Sequence, residues 1–365
     1  MTNIVLCFYN RVMKIALIAD VHVDKNLPWT QKVWEAFLKR AAELKVEGVI
    51  IAGDLFENKE SALALREWFS RTLEAAPFSH VIWVAGNHDL TDPTKDKQDQ
   101  DVALADLNFG EKIEIFSKPH LYSLDGLEVF LYPFRMDPDD EQFQVWKLAQ
   151  ETPEPVGRRI GVGHGSLSDW ISGIKEKEGS IIPRNFASML KCERVFLGHI
   201  HERKSVEVYQ SLGSARVWRK GETGDHGFWI YDSTTDTPTF VPLPEGRVAQ
   251  EVRIFVFYDS FSPPHVDTTA APLRLDISLY GVVESDHQKE AIQTQIQNFY
   301  AEAAEISFET KDLIFSRQIR ESRLWRIFSA KWQAHYDKAD PEKQAQLLLA
   351  RELFIKNVSP ILREG

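Results

Sequence analysis

Cysteine is scarce. Cys7 and Cys192 are the only two in 365 residues. Two thiols cannot build a disulfide scaffold or a cysteine-ligated zinc site, and they suit a reducing compartment, so the expected location is cytoplasmic. Long hydrophobic runs are also missing. No apolar stretch reaches the roughly 20 residues that a bilayer-spanning helix needs. Ile4-Val5-Leu6-Cys7-Phe8-Tyr9 is short and lacks a basic leader, which makes it a poor signal peptide. Residues 1–12 read as an N-terminal extension or as a start placed too early, because Met13 opens a better strand. Positive charge is in deficit: 43 Lys and Arg against 54 Asp and Glu leave a formal net charge of -11. Such acidity argues against holding nucleic acid by bulk electrostatics alone. It does not exclude a nuclease whose metal ions supply the local positive charge. Internal repeats and low-complexity tracts are absent as well.

What is present is a hydrophobic content of 43%, enough for a sizeable core and one large domain with one or two smaller ones. Lys14 to Ala19 reads as a strand, about Trp29 to Leu44 as a helix, and Val46 to Ala52 as a second strand. A helix with Leu65, Phe69 and Leu73 on its face follows, with Ser61 as its expected N-cap. Val81 to Ala85 is a third buried strand. This β-α-β-α-β order predicts parallel strands with helical crossovers. Asp92 to Asp106 is polar and reads as a loop into a helix. Shorter strands dominate from there to Val241. The whole fits an α/β fold: a two-sheet sandwich with helices outside, spanning 13–245.

Pro242 to Gly246 and Ser260 to Pro272 read as connectors. Residues 250–315 show a β-α-β pattern of their own and suggest a small second domain. In 318–360, Ile319 to Tyr336 and Asp340 to Val358 read as two helices, the latter with an Asp340 cap and Pro341 in its first turn. Their apolar residues cover more than one stripe. Packing within this chain, self-association into a homodimer, and a grip on another protein all fit that pattern.

Chemistry collects where the apolar runs stop. Gly86-Asn87-His88-Asp89 follows the third strand. Asn87 offers an amide oxygen to a metal, His88 a titratable imidazole, and Asp89 a carboxylate able to fix a tautomer. Asp20, His22, Asp54, His164, His199 and His201 also stand just past apolar runs. Taken singly, each is more often a turn, a cap or a packed residue. Taken together, they converge on the carboxyl edge of a sheet, where open α/β folds place their sites. Asp20 and His22 are two apart, so an extended backbone would point both the same way. One ion takes at most six ligands, and seven candidates suggest two. Two ions about 3.5–4 Å apart can clamp the attacking and leaving oxygens of a phosphoryl displacement. Imidazole and oxygen donors without thiolate suit Mn²⁺, Fe or Zn²⁺ better than Ca²⁺, and Mn²⁺ is the expected ion. Arg216, Arg219 and Lys220 read either as a phosphate-facing patch or as a solvated strand edge.

The blocks Asp20-Val21-His22, Gly53-Asp54, Gly86-Asn87-His88-Asp89, Gly163-His164 and Gly198-His199-Ile200-His201 resemble those of the calcineurin-like metallophosphoesterase superfamily. Within it, the stretches 19–24, 52–57 and 197–202 are most similar to the SbcD/YhaO-type DNA repair exonucleases. The resemblance implies an αββα sandwich with a small α+β capping domain at about 250–315 and C-terminal helices. It implies one metal on Asp20, His22, Asp54 and His201 and a second on Asp54, Asn87, His164 and His199. His88 would contact the phosphate and help the leaving oxygen depart, with Asp89 orienting it. The implied activity is two-metal hydrolysis of DNA, as exo- or endonuclease. The implied partner of the 318–360 tail is an SbcC-type coiled-coil P-loop ATPase. The sequence departs from the family at its tyrosine-proline-glycine-serine turn, which here reads Tyr209-Gln210-Ser211-Leu212-Gly213-Ser214. A phosphatase or cyclic-nucleotide phosphodiesterase would use the same metals, and a non-enzymatic scaffold would have no chemical need for the full set.

Overall fold

The computed structural model describes residues 13–89, 107–134, 141–170, 180–219, 222, 225–246, 249–266, 274–303 and 305–363. The expected 1–12 extension, the 92–106 loop and Lys220 lie outside these residues. The chain packs as two units, 1–247 and 248–365.

The first unit is built on two six-stranded sheets. β1 (Lys14–Ile18), β2 (Gly48–Ala52), β3 (His80–Val84) and β4 (Ile113–Phe116) run parallel in that spatial order. The crossovers are α1 (Trp29–Glu43) and α2 (Lys59–Ala75). In the second sheet, β5 (His120–Leu124), β6 (Leu127–Tyr132) and β7 (Arg158–His164) are followed by β10 (Arg194–Gly198) and β12 (Tyr209–Ser211), with β11 (Ser205–Val206) at the edge. The pair β8 (Ser166–Leu167) and β9 (Ile181–Ile182) stands apart. The chain then returns to the first sheet through β13 (Gly227–Asp232) and β14 (Thr237–Pro242), antiparallel beside β1.

The period of two along β1 explains the layering. Ala16 and Ile18 face α1 and α2 with Val33, Trp34, Phe37 and Phe69. Ile15 and Leu17 face the second sheet, among Val129, Leu131, Ile160, Val162 and Phe196. The far side of the second sheet packs Phe130, Tyr132, Val195 and Leu197 against Phe186 and Leu190 of α4 (Phe186–Leu190) and against Val145 of α3 (Glu141–Glu151). Strands buried on both faces read as continuous apolar runs, which is why these were visible in the sequence. The result is the αββα order. One local expectation is corrected. Asn58, not Ser61, caps α2, its side chain accepting from the Ser61 amide at 2.9 Å.

The second unit has a four-stranded sheet in the order β16-β15-β17-β18, comprising β15 (Ala249–Phe257), β16 (Ser260–Phe261), β17 (Arg274–Val283) and β18 (Glu305–Phe315). Helix α5 (Asp286–Phe299) crosses between parallel β17 and β18 and buries Ile292 and Ile296. The expected single helix from Ile319 is broken. Ser322 ends α6 (Ser316–Glu321) and caps α7 (Arg323–Tyr336) by accepting from the Trp325 amide. In α8 (Pro341–Arg363), Asp340 accepts from the Lys343 amide, as its N-cap reading requires. Phe328 of α7 stacks on Phe354 of α8 at 3.9 Å, while Leu324, Ile327, Leu349 and Leu353 remain exposed. Among the described residues, no helix is long and apolar enough to cross a membrane.

Candidate metal centre

The seven donors come from both sheets of the first unit. Asp20 and His22 follow β1, Asp54 follows β2 and Asn87 follows β3; His164 ends β7, while His199 and His201 follow β10. The loops after β1 and β2 stay paired: the amides of Asp20, His22 and Val23 donate to the carbonyls of Gly53, Asp54 and Leu55 at 3.1, 3.0 and 2.8 Å. The backbone is not extended there, contrary to the sequence reading. Asp20, His22, Asp54 and His199 have φ of 52°, 47°, 52° and 93°. Asp and His tolerate this left-handed region better than most residues, at a cost of roughly 1–3 kcal/mol each. Two glycines allow the close approach. A Cβ on Gly86 would lie 2.2 Å from Asp54 Oδ1, and one on Gly198 would lie 2.1 Å from the Ala52 carbonyl oxygen.

Around these loops the donors converge. Asp20–His22–His201, Asp20–Asp54–His164 and His22–Glu57–His88 each gather donor atoms within 4.8 Å of one another. Asp54 Oδ2 stands 3.9 Å from His22 Nε2 and 3.4 Å from His164 Nε2. His201 Nε2 is 3.6 Å from Asp20 Oδ1. Asn87 Oδ1 is 3.0 Å from both His164 Nε2 and His199 Nδ1. The far nitrogens of His164 and His201 are hydrogen-bonded to oxygens, and that of His22 faces one. His164 Nδ1 is 2.8 Å from the Ala52 carbonyl, His201 Nδ1 is 2.6 Å from Glu222, and His22 Nδ1 is 3.3 Å from Glu57. Metal-binding imidazoles are held this way, with one nitrogen anchored and the other free to coordinate. His22 is wholly buried, yet its Nε2, like its Nδ1, has no hydrogen-bond partner. Such an atom among carboxylates fits a cation.

The electrostatics agree. Burial pushes Asp20 up to about 6. Burial also pushes Asp54 up, but the imidazoles of His164, His22 and His88 outweigh it and hold the carboxyl well below the usual range. Burial lowers His22 to about 4 and His199 to about 3, so both offer lone pairs. His164 is also pushed down by burial, yet Asp54 and Asp20 outweigh that and raise it to about 9. Its proton lies among the other donors, and binding a cation there displaces it.

Two expected roles are corrected. Asp89 does not orient His88. Its Oδ2 accepts from the Asp54 amide, the Gly86 amide and Trp83 Nε1 at 2.9, 2.8 and 3.0 Å, so it braces the loops themselves. His88 is oriented by the Glu57 carbonyl, 2.7 Å from its Nδ1. Arg216 is not phosphate-facing. It is buried and donates to the carbonyls of Val21, Val217 and His22. Arg219 is exposed, with its guanidinium over the Trp218 ring at 4.4 Å.

Three residues of the site were not singled out from sequence: Glu57, Trp218 and Glu222. Glu57 closes the Gly53-Asp54 block and could have been found there. Trp218 and Glu222 lie in irregular chain between β12 and β13 and carry no periodic signal.

The description "Calcineurin-like phosphoesterase" matches residues 13–203. Exonuclease subunit 1 of Enterobacteria phage T4 is 24% identical over 242 residues, covering 63% of this chain and 68% of that protein. Among solved structures, the purple acid phosphatase PPD1 of yellow lupin is 11% identical with a TM-score of 0.44, over 66% of this chain. The match spans 53% of the lupin chain, about half its length. A Plasmodium protein described as the anchor in the inner membrane complex is 11% identical with a TM-score of 0.38, over 82% of this chain and 98% of its own.

Proposed function

The chain belongs to the calcineurin-like phosphoesterase family, and from that premise we propose that it is a two-metal phosphodiesterase that hydrolyses DNA, as an exo- or endonuclease in an ATPase-linked repair complex. One observation carries the reading: seven donors from two sheets meet beside His88, with His22 and His199 neutral and Asp54 ionised. The likeness to a phage exonuclease subunit supports DNA as substrate.

Asp20, His22, Asp54 and His201 would hold one ion, and Asp54, Asn87, His164 and His199 the other. Asp54 Oδ2 lies between His22 and His164, as a shared ligand requires. Divalent ions bound here would lower the pKa of water and offset charge on the phosphate. Mn²⁺ suits the nitrogen and oxygen donors. The Glu57 carbonyl can only accept, so His88 Nδ1 keeps its proton in either charge state. The exchangeable proton of His88 is therefore on Nε2, available to a leaving oxygen. The Asp54 carboxylate accepts from the His88 amide at 2.9 Å, which fixes the distance between that imidazole and the ligands. In this reading residues 250–315 serve as a capping module, the 318–360 helices hold a coiled-coil ATPase, and the protein works in the cytoplasm.

The net charge of -11 favours a second reading, a small phosphoester as substrate. Mn²⁺-dependent digestion of end-labelled linear and circular DNA, beside a panel of small phosphoesters, separates the two. DNA cleavage that disappears in Asp54→Ala is the expected result. Intact DNA with a turned-over small ester would select the second reading.

A further inference from the structure

Trp218 touches five residues of the site: His22, His88, His201, Glu57 and Glu222. Its ring stacks flat on His22, 4.4 Å between centroids and 10° between planes. It meets the rings of His88 and His201 at 5.5 and 5.0 Å, both steeply inclined. Its Nε1–H donates to Glu57 Oε2 at 2.7 Å, the oxygen that also faces His22 Nδ1. Its backbone amide donates to Glu222 Oε2 at 2.6 Å, and the other oxygen of Glu222 holds His201 Nδ1. The backbone carbonyl of that same Glu57 holds His88 Nδ1.

We infer that Trp218 is a positioning residue of the metal centre: through Glu57 and Glu222 it restrains the rings of His22, His88 and His201 that face the other donors. The inference rests on the metal reading given above. An imidazole is a good ligand only in the right tautomer and at the right angle, and both are set by what its other nitrogen meets. Trp218 ties together the carboxylates that face Nδ1 of His22 and of His201, 179 residues apart in the chain, and one of them belongs to the residue whose backbone carbonyl meets His88. The indole face adds a second restraint, because a flat stack limits rotation of the His22 ring. A tryptophan that merely filled space would gain nothing from pointing both of its N–H groups at the carboxylates that anchor imidazoles.

The test is calorimetric titration of the full chain with Mn²⁺ after stripping with chelator, for wild type, Trp218→Ala and Trp218→Phe, each checked for cooperative thermal unfolding. Alanine loses the stack and the indole donor; its affinity should fall roughly 10–100-fold, the usual cost of removing support behind a ligand. Phenylalanine keeps a ring over His22 without the N–H and should fall between alanine and wild type. If Trp218→Ala does not fold, the loss in Trp218→Phe decides alone. Folded variants that bind Mn²⁺ like wild type would overturn the inference while leaving the metal reading intact. A wild type that binds no Mn²⁺ would overturn the metal reading, and the inference with it.

Discussion

The Nδ1 atom of His88 lies 2.7 Å from the carbonyl oxygen of Glu57. This bond aims the ring without using any ligand, so removing the imidazole should spare the metals. His88→Ala is expected to retain wild-type metal content and lose turnover by about 10²–10⁴-fold. Elemental analysis and single-turnover cleavage measure both. A variant purified without metal would refute the role.

Asp89 accepts from three buried donors through one oxygen. Asp89→Ala leaves the amides of Asp54 and Gly86 and the Trp83 indole without that acceptor. Each unsatisfied group costs about 1–3 kcal/mol, so the variant should lose at least ~3 kcal/mol in urea unfolding. Unchanged stability with impaired turnover would return Asp89 to orienting His88.

Arg216 and Arg219 should separate cleanly. Arg216→Ala removes the partner of three buried carbonyls and is expected to lower the unfolding midpoint markedly. Arg219→Ala removes an exposed cation and should leave stability within about 0.5 kcal/mol of wild type while weakening DNA binding. Thermal unfolding with a salt-dependent DNA-binding isotherm checks the pair. Equal effects from both would contradict the buried, carbonyl-holding role of Arg216.

Asp236 joins the two sheets. Its Oδ1 meets Arg158 of β7, Arg194 of β10 and Tyr231 of β13 at 2.9, 2.8 and 2.9 Å. Burial pushes its carboxyl up, but Arg194, Tyr231 and Arg158 outweigh this and hold it below its ordinary 3.8. A depressed carboxylate stabilises the fold above its unfolded pKa, and that contribution is lost as pH falls through the folded value. Asp236→Asn suits the left-handed φ of 53°. It should be about 1 kcal/mol less stable at pH 7, and the gap should close below pH 3.8. Urea unfolding at several pH values reads this directly; a constant gap would sink the argument.

The central architecture was legible because strands such as Gly48–Ala52 are buried on both faces and leave unbroken apolar runs. The same runs marked the strand ends where Asp20, Asp54 and His164 stand. Less visible was anything set by distant neighbours. Asp89 follows His88 in sequence, which suggested a partnership, yet its acceptor oxygen is taken by buried donors from three places in the chain. Arg216 looks like surface charge until the loop after β1 supplies the carbonyls it fills. Trp218 and Glu57 are 161 residues apart, and no local pattern joins them. The break at Ser322 is similar, a cap hidden inside what reads as one helical stripe.

Asp20, His22, Asp54 and Asn87 hang from one sheet, and His164, His199 and His201 from the other. Neither sheet owns more than part of a site. An ion shared across them would act as a rivet: its binding energy would become adhesion between layers otherwise joined by side chains such as Leu17, Ile50 and Val162. At a free-ion concentration a hundred times Kd, that adhesion amounts to about 2.7 kcal/mol. Chelation would then loosen the laminate as well as silence it.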